Sequence, residues 1–379
     1  MKKNLEKINF IDQKFSETTQ SFGFKKIHPK ILSNYNSLNS EHNSLLKLIT
    51  PSGKIKLLQN DPTKSLLKRK TLFKKNYYMT TGFETDKKIE KLKGGLENLE
   101  KASIKSDVET IIIAYKFLEN LNIEKFILEI GHTHFIENLL KINKLSNKDR
   151  KEIYNAIHNK NSLTIEKILK SKNISNQKGK LLKKLPKLFG SYDKVLKTIK
   201  EYKIQEINPI VKYLEEFKNI LKIYKIDFEK IKIDLSLTNK YSYYDGFIFK
   251  GYVNDYGQRL LKGGRYIYNN KNGTGFGFEV KNLMEVIKMN RNLEDYTVLG
   301  ANESAIMISN KLRTKGYKVN QINQKLTSQA IKDIQTKYII EVNDKKIKII
   351  DQLKNITEKQ KITDFTKKIE TLTLKESIH

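Results

Sequence analysis

The 379-residue sequence contains no cysteine and no tryptophan. Without thiols the chain can form no disulfide framework, no thiolate zinc site and no cysteine nucleophile. No apolar run approaches the ~20 residues that a membrane-spanning helix requires. The basic start MKKNLEKINF is not followed by the apolar segment of a secretory signal. These absences predict a globular protein that stays in the cytoplasm and has no membrane partner.

Acidic residues are scarce relative to basic ones, 42 against 73, which gives a formal net charge of +31. Such an excess can indicate a polyanion partner, because Lys and Arg release counterions when they bind phosphates. Only six of the basic residues are arginine, however, and the lysines are spread along the whole chain beside many Ile and Asn residues. This distribution favours a solvated lysine surface that reflects compositional bias, so nucleic acid is the less favoured partner.

The most informative stretch runs from residue 234 to 287. The segment YSYYDGFIFKGYV alternates large apolar with small or polar residues, which predicts a strand. After a turn at residues 254–257 comes RLLKGGRYIY, where Gly263 and Gly264 allow another group to approach the backbone, and we interpret them as a pocket floor. TGFGFEV and KNLMEVIKM then predict a strand followed by a helix.

The glycines at positions 273, 275 and 277, of which the last two lie within TGFGFEV, recur every second residue. A dinucleotide fingerprint requires G-x-G-x-x-G at the turn from a strand into a helix, because the pyrophosphate lies on the first N–H groups of that helix. The pattern here is one residue short and lies within the strand. No G-x-x-x-x-G-K-[ST] sequence occurs, and we expect no cofactor.

Three consecutive segments, YSYYDGFIFKGYV, LLKGGRY and TGFGFEVKNLMEVI, resemble the end of the class II histidyl-tRNA synthetase catalytic fold. The resemblance implies an α+β fold, an antiparallel sheet flanked by helices. It also implies a division into a first part of this core, a helical insertion, a second part of the core and a small α/β domain similar to a reduced anticodon-binding domain. The corresponding ranges are 1–138, 139–228, 229–292 and 293–379.

The segment FKKNYYMTTGFETDKKIEKLKGGLENLE takes the place of motif 2, with strands Tyr77 to Glu84 and Leu92 to Leu99. In working synthetases an arginine at the end of the first strand grips the α-phosphate, and two further arginines lie in the motif 3 helix and beside the double tyrosine. These three positions correspond to Glu84, Asn282 and Asn239, and we expect no nearby arginine to replace them. Loss of one such contact costs roughly 3 kcal/mol of transition-state stabilisation. The resemblance therefore implies the fold without its reaction, and no enzyme activity.

Other residues match the histidine site of the family. They can accept a hydrogen bond from an imidazole N–H, donate one, or shield the ring. The matching residues are Asp61, Thr63, Glu97, Tyr243, Tyr244, Gly264, Arg265 and Tyr266. Two interpretations remain open at this point: a retained histidine site, or sheet residues inherited without a ligand.

Two further local predictions concern short segments. His132 and His134 lie at positions i and i+2 of the predicted strand KFILEIGHTHF and would share a face if that strand continues. Two histidines without further ligands at fixed spacing are weak grounds for a metal site, and we predict none. After Pro29 we expect a short amphipathic helix.

The LPKLFG run at residues 185–190 resembles the insertion of a regulatory branch of the family, the regulatory subunits of ATP phosphoribosyltransferase. That resemblance implies a non-catalytic subunit that activates a short-form catalytic subunit in the first step of L-histidine biosynthesis and mediates feedback inhibition by histidine. It also implies a homodimer through the synthetase-like core within a hetero-octamer. The alternative is a diverged synthetase-like protein that binds tRNA. An active synthetase with displaced arginines is a third, less favoured interpretation.

Overall fold

The computed structural model describes residues 2–36, 45–67, 73–84, 90–237, 244–268, 271–288, 294–324, 326–334, 336–343, 346–352, 354 and 356–372. The chain divides into two compact units, residues 1–288 and 289–379. This division falls a few residues before the boundary expected at 292/293.

The first unit is built on a nine-stranded sheet with the order β1-β5-β6-β12-β11-β10-β7-β9-β8. From β5 to β7 across this order, each strand is antiparallel to its neighbour. The strands of this sheet are β1 (Lys25–Lys26), β5 (Lys75–Phe83), β6 (Glu90–Asn98), β7 (Phe126–His132), β8 (Phe189–Ser191), β9 (Ile231–Asp234), β10 (Tyr244–Val253), β11 (Arg259–Tyr268) and β12 (Lys271–Glu279).

A separate three-stranded antiparallel sheet precedes the fifth strand along the chain and has the order β2-β4-β3. Its strands are β2 (Leu32–Asn34), β3 (Lys47–Ile49) and β4 (Ile55–Leu58). The pair β3–β4 forms a hairpin over the sequence LLKLITPSGKIKLL. The prediction of a helix after Pro29 is wrong within the described residues, because residues 32–34 form β2 and pair with β4.

The helices of the first unit flank the large sheet and fill the insertion. They are α1 (Lys2–Ser21), α2 (Pro62–Leu67), α3 (Ile104–Asn120), α4 (Thr133–Leu140), α5 (Asn147–His158), α6 (Ser162–Ser171), α7 (Gln177–Lys184), α8 (Tyr192–Glu201), α9 (Asn208–Ile223) and α10 (Val280–Val286). A capping box at Ser103 begins α3, and another at Ser146 begins α5. Not all of the insertion is helical, since β8 joins the edge of the large sheet.

One face of the large sheet packs against α1 and α3. The ring of Phe15 from α1 lies 5.6 Å from that of Tyr77 and 4.9 Å from those of Phe117 and Phe278, centroid to centroid. Because successive strand residues point to opposite faces, Tyr78 and the glycines 273, 275 and 277 point away from these helices. The opposite face is therefore where the small residues concentrate.

The second unit is a smaller α/β module. Its sheet has the order β14-β13-β15-β16-β17, in which β13 is parallel to β14 and β15, and the last three strands are antiparallel. The core packs α11 and α13 against this sheet through Ile308, Leu312, Ile340 and Phe365. The elements are β13 (Glu294–Leu299), α11 (Glu303–Thr314), β14 (Val319–Ile322), α12 (Ser328–Lys332), β15 (Thr336–Val342), β16 (Lys346–Asp351), β17 (Ile356–Lys361) and α13 (Ile362–Thr371).

The predicted strands of the central stretch and of the motif 2 segment are confirmed, as is the helix that follows TGFGFEV. The strand predicted through KFILEIGHTHF ends earlier than expected, because Thr133 begins α4. None of the helices in the described part of the chain combines the length and apolar character needed to cross a bilayer.

Candidate functional site

A cavity of about 420 Å³ opens on the sheet face that points away from α1 and α3. Its walls come from the segment that leads into α2, from strands β5, β6, β10, β11 and β12, and from α10. Asp61, Thr63 and Tyr244, three of the residues matched to the histidine site, line it. Chain segments that lie far apart in sequence therefore converge on one concave site, as is typical of small-ligand pockets.

The carboxyl of Glu97 lies buried beneath Thr63, which lines the cavity, and is only 2% exposed. The Tyr266 hydroxyl donates to Glu97 Oε2 at 2.6 Å, the Thr63 hydroxyl donates to Oε1, and Tyr78 contributes a third hydroxyl. Burial raises the pKa of Glu97 to about 8, and the nearby charge of Asp61 acts in the same direction. The carboxyl can therefore change its charge state near neutral pH.

The glycines around Glu97 create the space that this cluster of hydroxyls occupies. A Cβ on Gly275 would lie 2.5 Å from Glu97 Oε2, and one on Gly273 would lie 2.5 Å from the Tyr266 hydroxyl. A Cβ on Gly95 would lie 2.6 Å from the Tyr78 hydroxyl. Gly95, Gly273 and Gly275 thus make room for a buried carboxyl and its tyrosines.

Asp61 and Tyr244 complete the part of the cavity that the family resemblance indicated. Asp61 Oδ1 accepts a hydrogen bond from the Thr63 backbone N–H at 3.0 Å, at the start of α2. Tyr244 lies opposite Tyr266 in the register of β10 and β11, where β10 carries an irregularity before Ile248. Tyr243 lies outside the described residues.

Gly263 and Gly264 do not form a pocket floor as the sequence interpretation proposed. A Cβ on Gly263 would lie 2.3 Å from the Gly275 carbonyl oxygen, and one on Gly264 would lie 2.3 Å from that of Phe247. Both glycines therefore permit close approach of the neighbouring strands. Gly264 also has φ +152°, a conformation that favours glycine.

Arg265 is not brought to this cavity. As the neighbour of Tyr266 on β11 it points to the helix-covered face, where its guanidinium pairs with the fully buried Asp107 of α3. Arg265 Nε donates to Asp107 Oδ1 at 3.3 Å, and the Tyr213 hydroxyl of α9 donates to Oδ2 at 2.7 Å. The expectation that Arg265 binds the ligand is therefore wrong for this arrangement, because its charge is already neutralised.

Two of the three positions that lost the family's arginines line the cavity: Glu84 and Asn282. The Glu84 carboxylate lies 2.6 Å from Lys91 Nζ and 2.7 Å from Lys93 Nζ. Partial burial opposes its ionisation, but the hydrogen bonds and charges of the two lysines outweigh burial and lower the pKa of Glu84. Asn282 donates to the Arg259 carbonyl oxygen at 2.9 Å. Asn239 lies outside the described residues.

Positively charged side chains nevertheless line the cavity. The expectation that no arginine lies near the lost arginine positions is wrong for Arg259. Its side chain lines the cavity beside Asn282, and Lys64, Lys93 and Lys262 line it as well. Burial lowers the pKa of Lys262 to about 8, and the charge of Arg259 lowers it further. Sequence reasoning could have found Lys262, since it precedes Tyr266 by four residues and strand alternation places both on one face.

His132 and His134 belong to a different cluster, on the side of Arg265 and Tyr213. Their rings lie 5.3 Å apart, and His134 Nε2 lies 2.6 Å from Asp245 Oδ1. Burial lowers the pKa of His132 to about 3, so its ring is neutral. Across the described ranges no three His, Cys, Asp or Glu side chains are arranged to hold a metal ion.

Comparison with known proteins places these features in context. The sequence profile of the family described as Histidyl-tRNA synthetase matches residues 2–283. A relative from Caldanaerobacter subterraneus, named ATP phosphoribosyltransferase regulatory subunit, is 29% identical over 72% of this chain and 77% of its own length. A relative of the same name from Clostridium botulinum is 30% identical over 74% of this chain and 72% of its own length.

Solved structures share the fold. A structure from Bacillus halodurans, described as an ATP phosphoribosyltransferase regulatory subunit/histidyl-tRNA synthetase, superposes with a TM-score of 0.74 at 22% identity and covers 89% of this chain and 94% of its own. A chain of the ATP phosphoribosyl transferase (HisG:HisZ) complex from Thermotoga maritima has a TM-score of 0.59 at 22% identity and covers 73% of this chain and 97% of its own. The α+β fold class predicted from the sequence is confirmed.

Proposed function

Since the chain belongs to the histidyl-tRNA synthetase family and, within it, to the ATP phosphoribosyltransferase regulatory subunits, we propose that it regulates this transferase without catalysing a reaction itself. Its role is to activate a short-form catalytic subunit in the first step of L-histidine biosynthesis and to mediate feedback inhibition by histidine. We place this function in the cytoplasm.

The proposal that the chain catalyses no reaction rests on the environment of Glu84. Adenylation requires fixed cations on the α-phosphate, because charge develops there in the transition state. At this position the Glu84 carboxylate lies 2.6 Å from Lys91 Nζ and 2.7 Å from Lys93 Nζ, and Lys91 also pairs with Glu279 at 3.3 Å, so both ammonium groups are already paired with carboxylates. Arg259 is exposed and the pKa of Lys262 is lowered to about 8, so neither supplies a fixed, buried fork.

This part is tested by pyrophosphate exchange. We expect the purified chain to show no histidine-dependent exchange of pyrophosphate into ATP and no formation of phosphoribosyl-ATP. Exchange above that of a boiled sample, abolished by Arg259→Met, would show instead that the displaced cations support an active synthetase.

Histidine is the effector that the cavity suits best. Asp61 in the lining and Glu97 beneath Thr63 can accept hydrogen bonds from an imidazole or an ammonium group, while Tyr78 and Tyr244 supply aromatic walls. The described lining contains charges of both signs: Asp61, Glu84 and Glu279 against Lys64, Lys93, Arg259 and Lys262. A pocket of mixed charge suits a zwitterionic amino acid better than a polyanion.

The partner is the short-form catalytic subunit, and this chain contributes a homodimer formed through its synthetase-like core, within a hetero-octamer. The three-stranded sheet supports an interface, since Leu32 and Leu48 are each 45% exposed, Ile49 is 73% exposed and Ile55 is 39% exposed. The register places Ile49 opposite Ile55, which makes a shared apolar surface. Light scattering of the chain alone and with its partner measures both states.

The mechanism is coupling between two arrangements of the assembly. This chain stabilises the arrangement of the assembly in which the catalytic subunit is active. Histidine favours the second, less active arrangement by a differential binding free energy of about 1–3 kcal/mol. Reconstitution tests it: addition of the folded chain to a short-form transferase should raise its activity, and histidine should reverse the rise. No activation by a correctly folded dimer would remove the proposal.

The net charge of +31 favours one other candidate, a tRNA-binding protein. Filter binding at two salt concentrations distinguishes it. Affinity in the sub-micromolar range at physiological salt would support tRNA binding, whereas weak binding that disappears as salt rises is what a solvated lysine surface gives.

A further inference from the structure

The segment that leads into α2 carries two of the residues matched to the histidine site, Asp61 and Thr63, and β6 holds this segment at both ends. At one end the Thr63 hydroxyl donates to the buried Glu97. At the other end Lys93 Nζ donates to the Asn60 carbonyl oxygen at 3.1 Å. Lys93 and Glu97 lie four residues apart on β6, so strand alternation places both on the same face of the sheet. One strand therefore fixes the segment on either side of Asp61.

The contact from Lys93 acts on the peptide group that joins Asn60 to Asp61. Because this group is planar, a fixed carbonyl oxygen at Asn60 also fixes the position of the Asp61 Cα. Asp61 lines the cavity and caps the start of α2, since its Oδ1 accepts from the Thr63 N–H at 3.0 Å and Pro62 is the first residue of the helix. A shift of this peptide group would therefore move a cavity carboxylate.

Lys93 is itself held in place for this contact. Its ammonium lies 2.7 Å from Glu84 Oε1, and its side chain is only 16% exposed. Its aliphatic stem lies against Gly82 of β5, where an added Cβ would come 2.9 Å from Lys93 Cδ and 3.3 Å from the Asn60 carbonyl oxygen. The glycine thus leaves the room through which the lysine reaches Asn60. A hydrogen bond from an ammonium group is also roughly twice as strong as one between neutral groups.

We infer that Lys93 is a positioning residue that holds segment 60–63 in the conformation in which Asp61 can contact the ligand. This inference rests on the histidine site proposed above and adds how that site is preorganised. Without the contact to Asn60, only a fraction of the molecules holds the competent conformation, and the apparent affinity falls by that fraction. Lys93 acts through Asp61, because its own ammonium is engaged with Glu84 and Asn60.

A double-variant cycle measured by isothermal titration calorimetry tests this role. Lys93→Met should weaken histidine binding about 10-fold, and Lys93→Arg, which keeps the cation, should recover most of the loss. Asp61→Asn removes the charge but keeps a side chain that caps α2, and it should also weaken histidine binding. In the Asp61→Asn background Lys93→Met should cost less than about twofold, because the group it positions is already lost. Costs that multiply would show that Lys93 does not act through Asp61, and they would overturn the inference.

Lys91→Met is the matched control, since it removes the same charge from the same strand. Lys91 pairs with Glu84 at 2.6 Å and with Glu279 at 3.3 Å, but it does not line the cavity and forms no hydrogen bond with Asn60 in the described part of the chain. Its replacement should change histidine affinity by less than about twofold. An effect as large as that of Lys93→Met would contradict the inference, because loss of either lysine beside Glu84 would then suffice.

Hydrogen exchange provides a second measurement, which needs no affinity for the double variant. In the ligand-free protein the amides of residues 60–67 should exchange faster in Lys93→Met than in wild type, and saturating histidine should restore their protection. Unchanged exchange there, with wild type binding histidine, would overturn the inference and leave the proposed function standing. A wild type that binds no histidine removes the effector site of the proposed function, and this inference fails with it.

Discussion

A buried carboxyl group lies on each face of the large sheet, Glu97 on one and Asp107 on the other, and these two groups differ in what surrounds them. Asp107 is fully buried and Glu97 is 2% exposed, and each accepts a hydrogen bond from a tyrosine, Tyr213 at 2.7 Å and Tyr266 at 2.6 Å. Asp107 is also paired with the guanidinium of Arg265. Within the residues that the structure describes, Glu97 forms no ion pair.

This difference separates a structural carboxylate from one that can serve a ligand. Burial raises the pKa of both groups, but Arg265 opposes the rise at Asp107. An internal cation satisfies Asp107 in the absence of any ligand. Glu97 lies beneath Thr63, which lines the cavity, and its partners are hydroxyl groups. A ligand that brings an N–H group or a positive charge to this carboxyl gains a new interaction there.

The largest effect should follow from breaking the structural pair. Arg265→Met leaves Asp107 buried without its cation, and we expect a loss of roughly 3–5 kcal/mol in the free energy of unfolding, measured by urea denaturation. The double variant Asp107→Asn with Arg265→Met should recover part of this loss, because the uncompensated charge is gone. A single variant within about 1 kcal/mol of wild type would show that the pair contributes little.

Glu97→Gln should separate ligand binding from stability. The substitution preserves shape, and the carboxyl with its pKa of about 8 is already mostly protonated at pH 7. We expect histidine affinity to fall about 10- to 100-fold in calorimetry, because an N–H group or positive charge of the ligand favours the ionised carboxylate, which an amide cannot form. Unfolding by urea at pH 7 serves as the control and should change by less than about 1 kcal/mol. Undiminished histidine binding would contradict the assignment of Glu97 to the ligand.

The pH dependence of the free energy of unfolding tests the raised pKa of Glu97. The pKa of Glu97 is about 8 in the folded chain and near ~4.3 in an unfolded one. Between these values the folded state holds a proton that the unfolded state has released, so a rise in pH favours unfolding. Wild-type stability relative to Glu97→Gln should therefore fall by roughly 1 kcal/mol per pH unit between about pH 5 and 8. Parallel stability curves for the two proteins would refute the raised pKa.

Alternation and resemblance together indicated some of the residues that line the cavity and the carboxyl buried beneath it. The two-residue period of YDGFIFKGYV and TGFGFEV gave the strands, and the order of motifs indicated Asp61, Thr63, Glu97 and Tyr266 before any geometry was known. Strand alternation, applied one step further, would have joined Lys262 to Tyr266 and separated Arg265 from both. That step needs only the sequence.

Other features required the folded chain. The pair between Asp107 and Arg265 joins residues 158 positions apart, and no local pattern marks either as the other's partner. Glu84 would repel a phosphate if it stood alone, but the hairpin register brings Lys91 and Lys93 beside it. Contacts that form only in the folded chain therefore determine which charges remain available to a ligand. The residue types alone do not reveal them.

The smallest expected effects come from removing one tyrosine hydroxyl on each face of the large sheet. Tyr213→Phe removes a donor to Asp107, and we expect a loss of about 0.5–1.5 kcal/mol in the free energy of unfolding with histidine affinity unchanged. Tyr266→Phe removes the matching donor to Glu97 at 2.6 Å, and here histidine affinity should change by about 3- to 10-fold. Denaturation and calorimetry are measured on both variants, and the two histidine affinities decide whether the two faces differ in function. Equal affinities in the two variants would mean that the faces do not differ in function, because the hydroxyl beside Glu97 would then matter to the ligand no more than the one beside Asp107.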